Sequence, residues 1–440
     1  MVRMYVLVNN IGQLSVARAQ CPRHCTAIGR RRNIPSMLNN TCKTFLALIV
    51  LAVVTPAIAI AAPLDRPALT ASLQKIVNNY LASHAQAEGF TAISASVSLP
   101  GTEPPIDVVA GRVSRAPDAA LVTPATLFQI GSITKSMTST VILQLVQEGV
   151  LSLDAPIGPW LPEYPAWGSV TIRRLLDMTS GIPSYDSTDA FFKTVSKYGI
   201  HRHFTPPVLL SFTDPALPGA PEPTTGFDYS NVNYIIAQMI IERATDRSLD
   251  EQIRERLLTR GHGLAATYYS SGPYPDSVLS QEVSSYMTAS PAPILNNLIG
   301  QDLKYQDPSW AQGAGSAVAT PEDITRWVRL LFQGDLLEAP ERHDLMQLVS
   351  MKTGQPLAEA TTGDKSGFGL GVAQTIAGNV RFWFYEGEPM GSRMFYGYFP
   401  DKNLVIVIAV NSAGGPDKIS QALIDMYAAV TGEKIIVAHK

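Results

Sequence analysis

The chain has 440 residues, too long for one ordinary domain and comfortable for two. Charged residues make up 16% against 46% hydrophobic, and 34 Lys and Arg against 37 Asp and Glu leave a net charge of −3. That balance excludes a disordered chain and a nucleic-acid binder working through a basic field. The average hides two unlike pieces: residues 1–62 hold seven Lys or Arg and no acid, so residues 63–440 hold 27 basic and 37 acidic side chains, a net of −10.

The basic piece reads as a leader. Thr44 to Ala62 is apolar apart from Thr55, follows Lys43, and ends in small residues with Ala57-Ile58-Ala59 and Ala59-Ile60-Ala61 as candidate cleavage sites. The expectation is a cleaved signal peptide and a periplasmic or secreted protein. An uncleaved anchor, the one route to a membrane, and an Arg-rich organelle transit peptide are the alternatives. Met37 is a natural start, leaving a short basic end before the apolar stretch. Cys21, Cys25 and Cys42 all lie in this piece, so a cleaved chain has no cysteine. Cys21-Pro22-Arg23-His24-Cys25 has no second pair downstream to complete a metal site.

Past the leader, residues 67–88 read as a helix with Leu69, Leu73, Ile76, Val77 and Tyr80 on one face. Alternation at Ile93, Ala95, Val97 and Leu99, a turn, and Val108–Val113 suggest paired strands. Between Phe128 and Val150 lies a strong helix, with Ile133, Met137, Val141, Ile142, Leu145 and Val146 at helical spacing. Residues 152–225 are Pro- and Gly-rich with short helical pieces such as Val170–Met178. A second strong helix spans Asn231–Thr245, and a third opens at Thr320-Pro321-Glu322-Asp323 and runs through Phe332. Val380–Phe384, Met394–Phe399 and Leu404–Val410 read as antiparallel strands, closed by a helix from Ile419 to Val430. The pattern is one α/β unit, about 63–150 and 365–440, split by a mostly helical insert at about 151–364.

Chemistry narrows by elimination. His84, His201, His203, His262, His343 and His439 include no H-E-x-x-H pair, so no metal site is expected. No G-x-S-x-G elbow is present, which disfavours an α/β-hydrolase. Gly367, Gly369 and Gly371 read as a glycine-rich strand entry, not a phosphate loop. What remains is Ser132-Ile133-Thr134-Lys135 at the start of the first strong helix. Residues i and i+3 share a helix face, so the Lys amine reaches the Ser hydroxyl. A desolvated lysine has a lowered pKa and can take a proton. The helix N-terminus favours negative charge near Ser132. Alone the motif is weak, since Ser72-Leu73-Gln74-Lys75 has the same spacing. Tyr229-Ser230-Asn231, the only Y-x-N, opens the second strong helix. A tyrosine beside a lysine ammonium loses its proton more readily and can act as base, and Asn231 can orient the Lys and a substrate amide; a turn tyrosine with an Asn cap is the bland alternative.

With these residues placed, the sequence resembles the serine β-lactamase and penicillin-binding protein superfamily, including class C β-lactamases, D-alanyl-D-alanine carboxypeptidases and related esterases. The resemblance covers nearly all of residues 67–430 in order. It runs through FQIGSITKSMTS, QLVQEGVLSLDAPIGPWLP, IRRLLDMTSGIP, FDYSNVNYIIAQMI, AQGAGSAVATPEDITRWVRLL, SGFGLGVA and YEGEPMGSRMFYGYFPDKNLVIVIAVNS. It implies a β-lactamase/transpeptidase-like α/β (α+β) fold: an antiparallel sheet flanked by helices, plus an all-helical lobe, with the site between them. It implies Ser132 as acylated nucleophile, Lys135 as its proton partner, Tyr229 as base and later acid, and Asn231 as a positioning amide. The oxyanion hole would be the backbone N–H groups of Ser132 and Glu388, and no cofactor is implied.

Two positions depart from the family pattern. Met178 stands where a histidine usually precedes the T-S-G stretch. Tyr385, followed by Glu386, stands where the family places Lys or His two residues before Gly387. Tyr385, Glu386 and Gly387 are the expected substrate-binding stretch, and a tyrosine with two nearby carboxylates, Glu386 and Glu388, suits a substrate carboxylate poorly. Arg393 is either a substitute cation or an outward-facing strand residue. The expectation is an exported serine hydrolase, an esterase or peptidase acting on a small-molecule or peptide substrate without a carboxylate. D-alanyl-D-alanine carboxypeptidase or class C-like β-lactamase activity, and a catalytically weak binding or scaffold homologue, are the rivals.

Overall fold

The computed structural model describes residues 65–100, 103–416 and 418–435, and the whole leader, with Met37 and its cleavage sites, lies outside them. Asp65 accepts from the Ala68 N–H to cap helix α1, Arg66–Glu88, which ends at Gly89 in the left-handed region. Strands β1, Ala92–Ser98, and β2, Ile106–Gly111, pair antiparallel with Ile93 opposite Ala110. Helices α2 (Thr134–Gln147), α3 (Val232–Thr245) and α4 (Pro321–Gln333) follow, separated by short helices and two-residue strands. Then come β3, Leu348–Ser350, β4, Pro356–Leu357, β5, Ser366–Phe368, β6, Ala373–Ala377, β7, Val380–Gly387, β8, Arg393–Phe399, and β9, Leu404–Val410. Helix α5, Ile419–Thr431, closes the described chain.

All nine strands form one antiparallel sheet in the order β2-β1-β9-β8-β7-β6-β5-β3-β4. The N-terminal hairpin thus adds to the C-terminal meander through β1 and β9, with Ala95 opposite Ile408. Every residue of β9 is buried because helices cover both faces. On one face α1 and α5 pack together, and Tyr427 of α5 meets Phe399. On the other lies α4, where Phe332 stacks on Tyr398 and Arg329 Nε donates to Ser98 Oγ at 2.5 Å. Each fully buried aliphatic side chain here contributes about 1.5–3 kcal/mol.

The strong helices sit where their apolar spacing puts them, with one difference. Helix α2 is buried on every side from Thr134 to Leu145, not on one face. Its polar residues are tolerated because each has a partner: Thr138 Oγ1 donates to Gly313 O at 2.8 Å, and Ser136 Oγ accepts from Trp327 Nε1 at 2.9 Å. Helix α3 is buried in the same way from Val232 to Ile241, and the two cross in the interior. Gly367 is the middle residue of β5, and Gly369 and Gly371 lie in the turn into β6, consistent with a strand entry. Among the described residues no helix is long and apolar enough to cross a membrane.

Candidate active site

Ser132 is the middle residue of a single 3-10 turn, Gly131–Ile133, that leads into α2. Gly131 has φ +49, and a Cβ there would stand 2.7 Å from Pro389 Cδ and 3.0 Å from Glu388 N. Only glycine lets this turn press against the end of β7. One helical turn later the Lys135 side chain is fully buried, with Nζ 3.0 Å from Ser132 Oγ.

Two further acceptors hold that amine. Lys135 Nζ donates to Asn231 Oδ1 at 2.7 Å and to the Ala314 carbonyl at 2.7 Å. It also lies 4.9 Å from the Tyr229 ring centre and 5.5 Å from that of Tyr234. Burial pulls its pKa down to about 7, with Asp186 acting the other way. A neutral amine has two N–H bonds and one lone pair. In that neutral form, with Asn231 and Ala314 taking the two N–H groups, the lone pair is left for Ser132; as the ammonium, Nζ donates to Ser132 Oγ as well.

Tyr229 lies just before α3, its ring edge-on to Phe368 at 6.1 Å and its phenol hydrogen-bonded to Ser132. From the sequence, the nearby lysine is expected to ease the loss of its proton. Instead burial raises the phenol pKa above its ordinary value, outweighing its hydrogen bonds to Ser132 and Tyr385. Tyr229 therefore keeps its proton at neutral pH. Asn231 forms no side-chain cap on α3; its Oδ1 faces Lys135 and its Nδ2 donates to Asp186 Oδ2 at 2.8 Å.

The third stretch divides in its roles. Tyr385 is buried behind Tyr229, hydroxyl to hydroxyl at 3.2 Å, and does not line the cleft, so it offers nothing to a substrate directly. Glu386 and Glu388 do line the cleft, and Glu388 Oε1 accepts from Gly414 N at 2.8 Å. A Cβ on Gly387 would stand 1.7 Å from Ile130 O and 3.0 Å from Ser132 N. The strand end thus lies directly against the nucleophile turn, which brings the backbone nitrogens of Ser132 and Glu388 into the same contact. That is the layout an oxyanion hole needs.

Arg393 is neither a substitute cation nor outward-facing. Its side chain is fully buried, with Nη2 3.1 Å from Glu88 Oε2 and Nε donating to Ser412 O at 3.0 Å. Tyr80 also donates to that carboxylate, so this buried charge pair ties α1 to the segment after β9. Met178, with φ +65, is buried and its Sδ accepts from Ser230 N at 3.4 Å. It supports the turn before α3 from beneath.

The cleft in front of Ser132 encloses about 410 Å³. Phe191, Phe192, Met287, Leu295, Trp310 and Met390 form an apolar wall, while Asp186, Glu386 and Glu388 supply carboxylates. No Lys, Arg or His is among its described lining residues. Among the described residues no group of three or more His, Cys, Asp or Glu is placed to hold a metal ion.

Sequence reasoning missed five residues of the site. Asp186 and Ser184, which donates to it, sit in a loop where a Ser-x-Asp spacing looks like any turn. Ala314 acts through its backbone carbonyl, which leaves no trace in side-chain chemistry. The Phe191–Phe192 pair has a helical signal but nothing that distinguishes a cleft wall from core.

A serine on a buried helix start, a lysine with a lowered pKa in contact with it, and paired backbone donors define a serine hydrolase built around a large antiparallel sheet. The Beta-lactamase family profile matches residues 106–429, and the chain belongs to that family, within the serine β-lactamase and penicillin-binding protein superfamily. It is 25% identical over 232 residues to Penicillin-binding protein 4* of Bacillus subtilis (strain 168), covering 52% of this chain and 50% of that protein. Protein flp of Staphylococcus aureus (strain NCTC 8325 / PS 47) is 24% identical over 294 residues, 66% of this chain and 53% of its own. The chain spans about half the length of these curated relatives. Among solved structures, a D-stereospecific amidohydrolase from Streptomyces sp. aligns with TM-score 0.66 and 25% identity over 83% of this chain and 99% of that one. The D-amino acid amidase of Ochrobactrum anthropi SV3 aligns with TM-score 0.67 and 23% identity over the same shares.

Proposed function

We propose that this chain hydrolyses neutral or cationic amides, esters or peptides through an acyl-enzyme on Ser132. The observation that carries the substrate class is the cleft lining: three carboxylates, an apolar wall, and no cationic side chain among its described residues. A substrate carboxylate would meet repulsion there, whereas an amine would be attracted and an apolar group would bury surface. The similarity to a D-stereospecific amidohydrolase supports an amide as the scissile group.

In this reading Lys135 takes the Ser132 proton as the serine oxygen attacks the carbonyl carbon. Negative charge then builds on the carbonyl oxygen opposite the N–H groups of Ser132 and Glu388. As the tetrahedral centre collapses, the Tyr229 phenol gives its proton to the departing amine or alcohol, and the proton held by Lys135 restores it. Water then replaces the leaving group and repeats the sequence, returning Ser132 and the free acid. Protonated Tyr229 is then the donor and Lys135 the acceptor, a division that their opposite pKa shifts support.

Export belongs to the same proposal and is supported by the apolar Thr44–Ala62 segment with its small-residue end. A fluorescent phosphonate should label Ser132 in the wild type and spare Ser132→Ala; an unlabelled wild type overturns the hydrolase reading. In a turnover panel of nitrocefin, p-nitrophenyl esters, amino-acid amides and D-Ala-D-Ala peptides, the amides and esters should lead. Preferential nitrocefin or D-Ala-D-Ala turnover would overturn the charge argument. The intact mass of protein purified from an exporting host reads leader removal directly.

A further inference from the structure

We propose that Asp186 is a positioning residue that, through the Asn231 amide, aims the Lys135 lone pair at Ser132. An amide has two unlike ends, and Asn231 could present either to the lysine. Asp186 decides between them. A carboxylate only accepts, so the end of Asn231 that faces Asp186 Oδ2 at 2.8 Å must be the NH2 group. The oxygen is then left for Lys135 Nζ at 2.7 Å. Ser184 braces the pair from the other side: its Oγ accepts the Asn231 backbone N–H at 2.9 Å and donates to Asp186 Oδ1. Ser184 is buried and Asn231 is only half-exposed, so the geometry is fixed by protein groups and not by bulk water.

The orientation matters because Lys135 has two N–H bonds to place when neutral. Given an oxygen at Asn231 and the carbonyl of Ala314, both N–H bonds are used and the lone pair is left for Ser132. An inverted Asn231 would instead direct an N–H at Nζ, where it would capture the lone pair or repel the ammonium. Around Lys135 stand Tyr229 just before α3, Tyr234 on α3, Tyr385 on β7 behind Tyr229, and Asp186. Asp186 is the charged member of that set, and its charge favours the ammonium form against burial.

The proposal rests on Lys135 being the proton acceptor, and the test separates the two. kcat/KM for a p-nitrophenyl ester is measured against pH for wild type, Asp186→Asn, Asn231→Ala and the double variant. Asp186→Asn should lose on the order of 10²-fold, the effect expected of a misplaced catalytic group. Its rising limb should move to lower pH, because removing a nearby carboxylate disfavours the ammonium. In the Asn231→Ala background the same substitution should cost little, since the route through which Asp186 acts is gone. Losses that add across the cycle, or a limb that does not move, overturn the proposal. A wild type with no limb, or a Ser132 that never acylates, instead overturns the underlying reading. If Asp186→Asn does not fold, Ser184→Ala carries the same cycle against Asn231→Ala, with a loss expected in the Asn231 background and little without it.

Discussion

Gly387→Ala is the most direct probe of how the sheet and the nucleophile turn are joined. The new Cβ would start 1.7 Å from Ile130 O, while real Cβ contacts essentially never fall below 3.0 Å. The end of β7 and the Ile130–Ser132 turn must therefore separate by about 1.3 Å. Neither partner is a flexible side-chain tip. Ile130 O accepts the Ile133 N–H at 3.3 Å in the turn itself, and Gly387 is paired with Met394 in the ladder. Forced overpacking of this kind costs about 1–3 kcal/mol, so the variant should fold and melt at a modestly lower temperature. Catalysis should suffer far more, because the displacement pulls apart the two backbone donors that the proposed mechanism sets against the developing oxyanion. A loss on the order of 10²–10³-fold in kcat is expected when one such donor is withdrawn. The assay is kcat and kcat/KM for a p-nitrophenyl ester alongside the rate of phosphonate labelling, both of which need the hole, with thermal melting as the control for folding. A folded variant with undiminished turnover and labelling would refute the assignment of Ser132 and Glu388 as the oxyanion donors.

Three further outcomes follow from the site and its supports. Because Lys135 must be neutral to accept a proton, kcat/KM should rise with pH through about 7 and fall about tenfold per unit below it; a profile flat through that range contradicts the assignment. Tyr229→Phe should cost about 10²–10⁴-fold on amides but much less on p-nitrophenyl esters, whose leaving group departs without needing a proton, and equal losses on both would return the base role to Tyr229. Arg393→Met removes the guanidinium beside the buried Glu88 carboxylate and should destabilise by about 3–5 kcal/mol in urea titrations, with Glu88→Gln in the same chain recovering part of the loss.

The fold was readable where burial follows a period. The alternation at Ile93, Ala95 and Val97 places β1, and the helical spacing from Met137 to Leu145 places α2. The same spacing could not show that α2 is buried all round, because the polar side chains Thr138 and Ser139 look solvent-facing until Gly313 and Tyr234 are placed beside them. Ser132, Lys135, Tyr229 and Asn231 were legible as side-chain types at fixed spacing ahead of two apolar helices. Asp186 and the Ala314 carbonyl were not, since one hides in ordinary turn chemistry and the other has no side chain to read. The sign of the Tyr229 shift was also out of reach: sequence shows that a lysine is near, but only packing shows that desolvation exceeds any help from it.

Tyr385 connects the proton arrangement to the substrate preference. A lysine or histidine there, as the resemblance implies for the wider family, would put positive charge beside the Tyr229 phenol and favour its ionised form. It would also supply a cation for a substrate carboxylate. With a tyrosine instead, buried and hydroxyl to hydroxyl with Tyr229, neither effect operates. In the proposed mechanism Tyr229 then stays protonated, and Lys135, its pKa lowered by burial, is the group suited to accept a proton near neutral pH. The same absence leaves Glu386, Glu388 and Asp186 to set the charge of the cleft. Under the proposed function, this one position therefore acts on two properties that look separate, which group takes the serine proton and which charge the substrate carries, because both depend on the field at the end of β7.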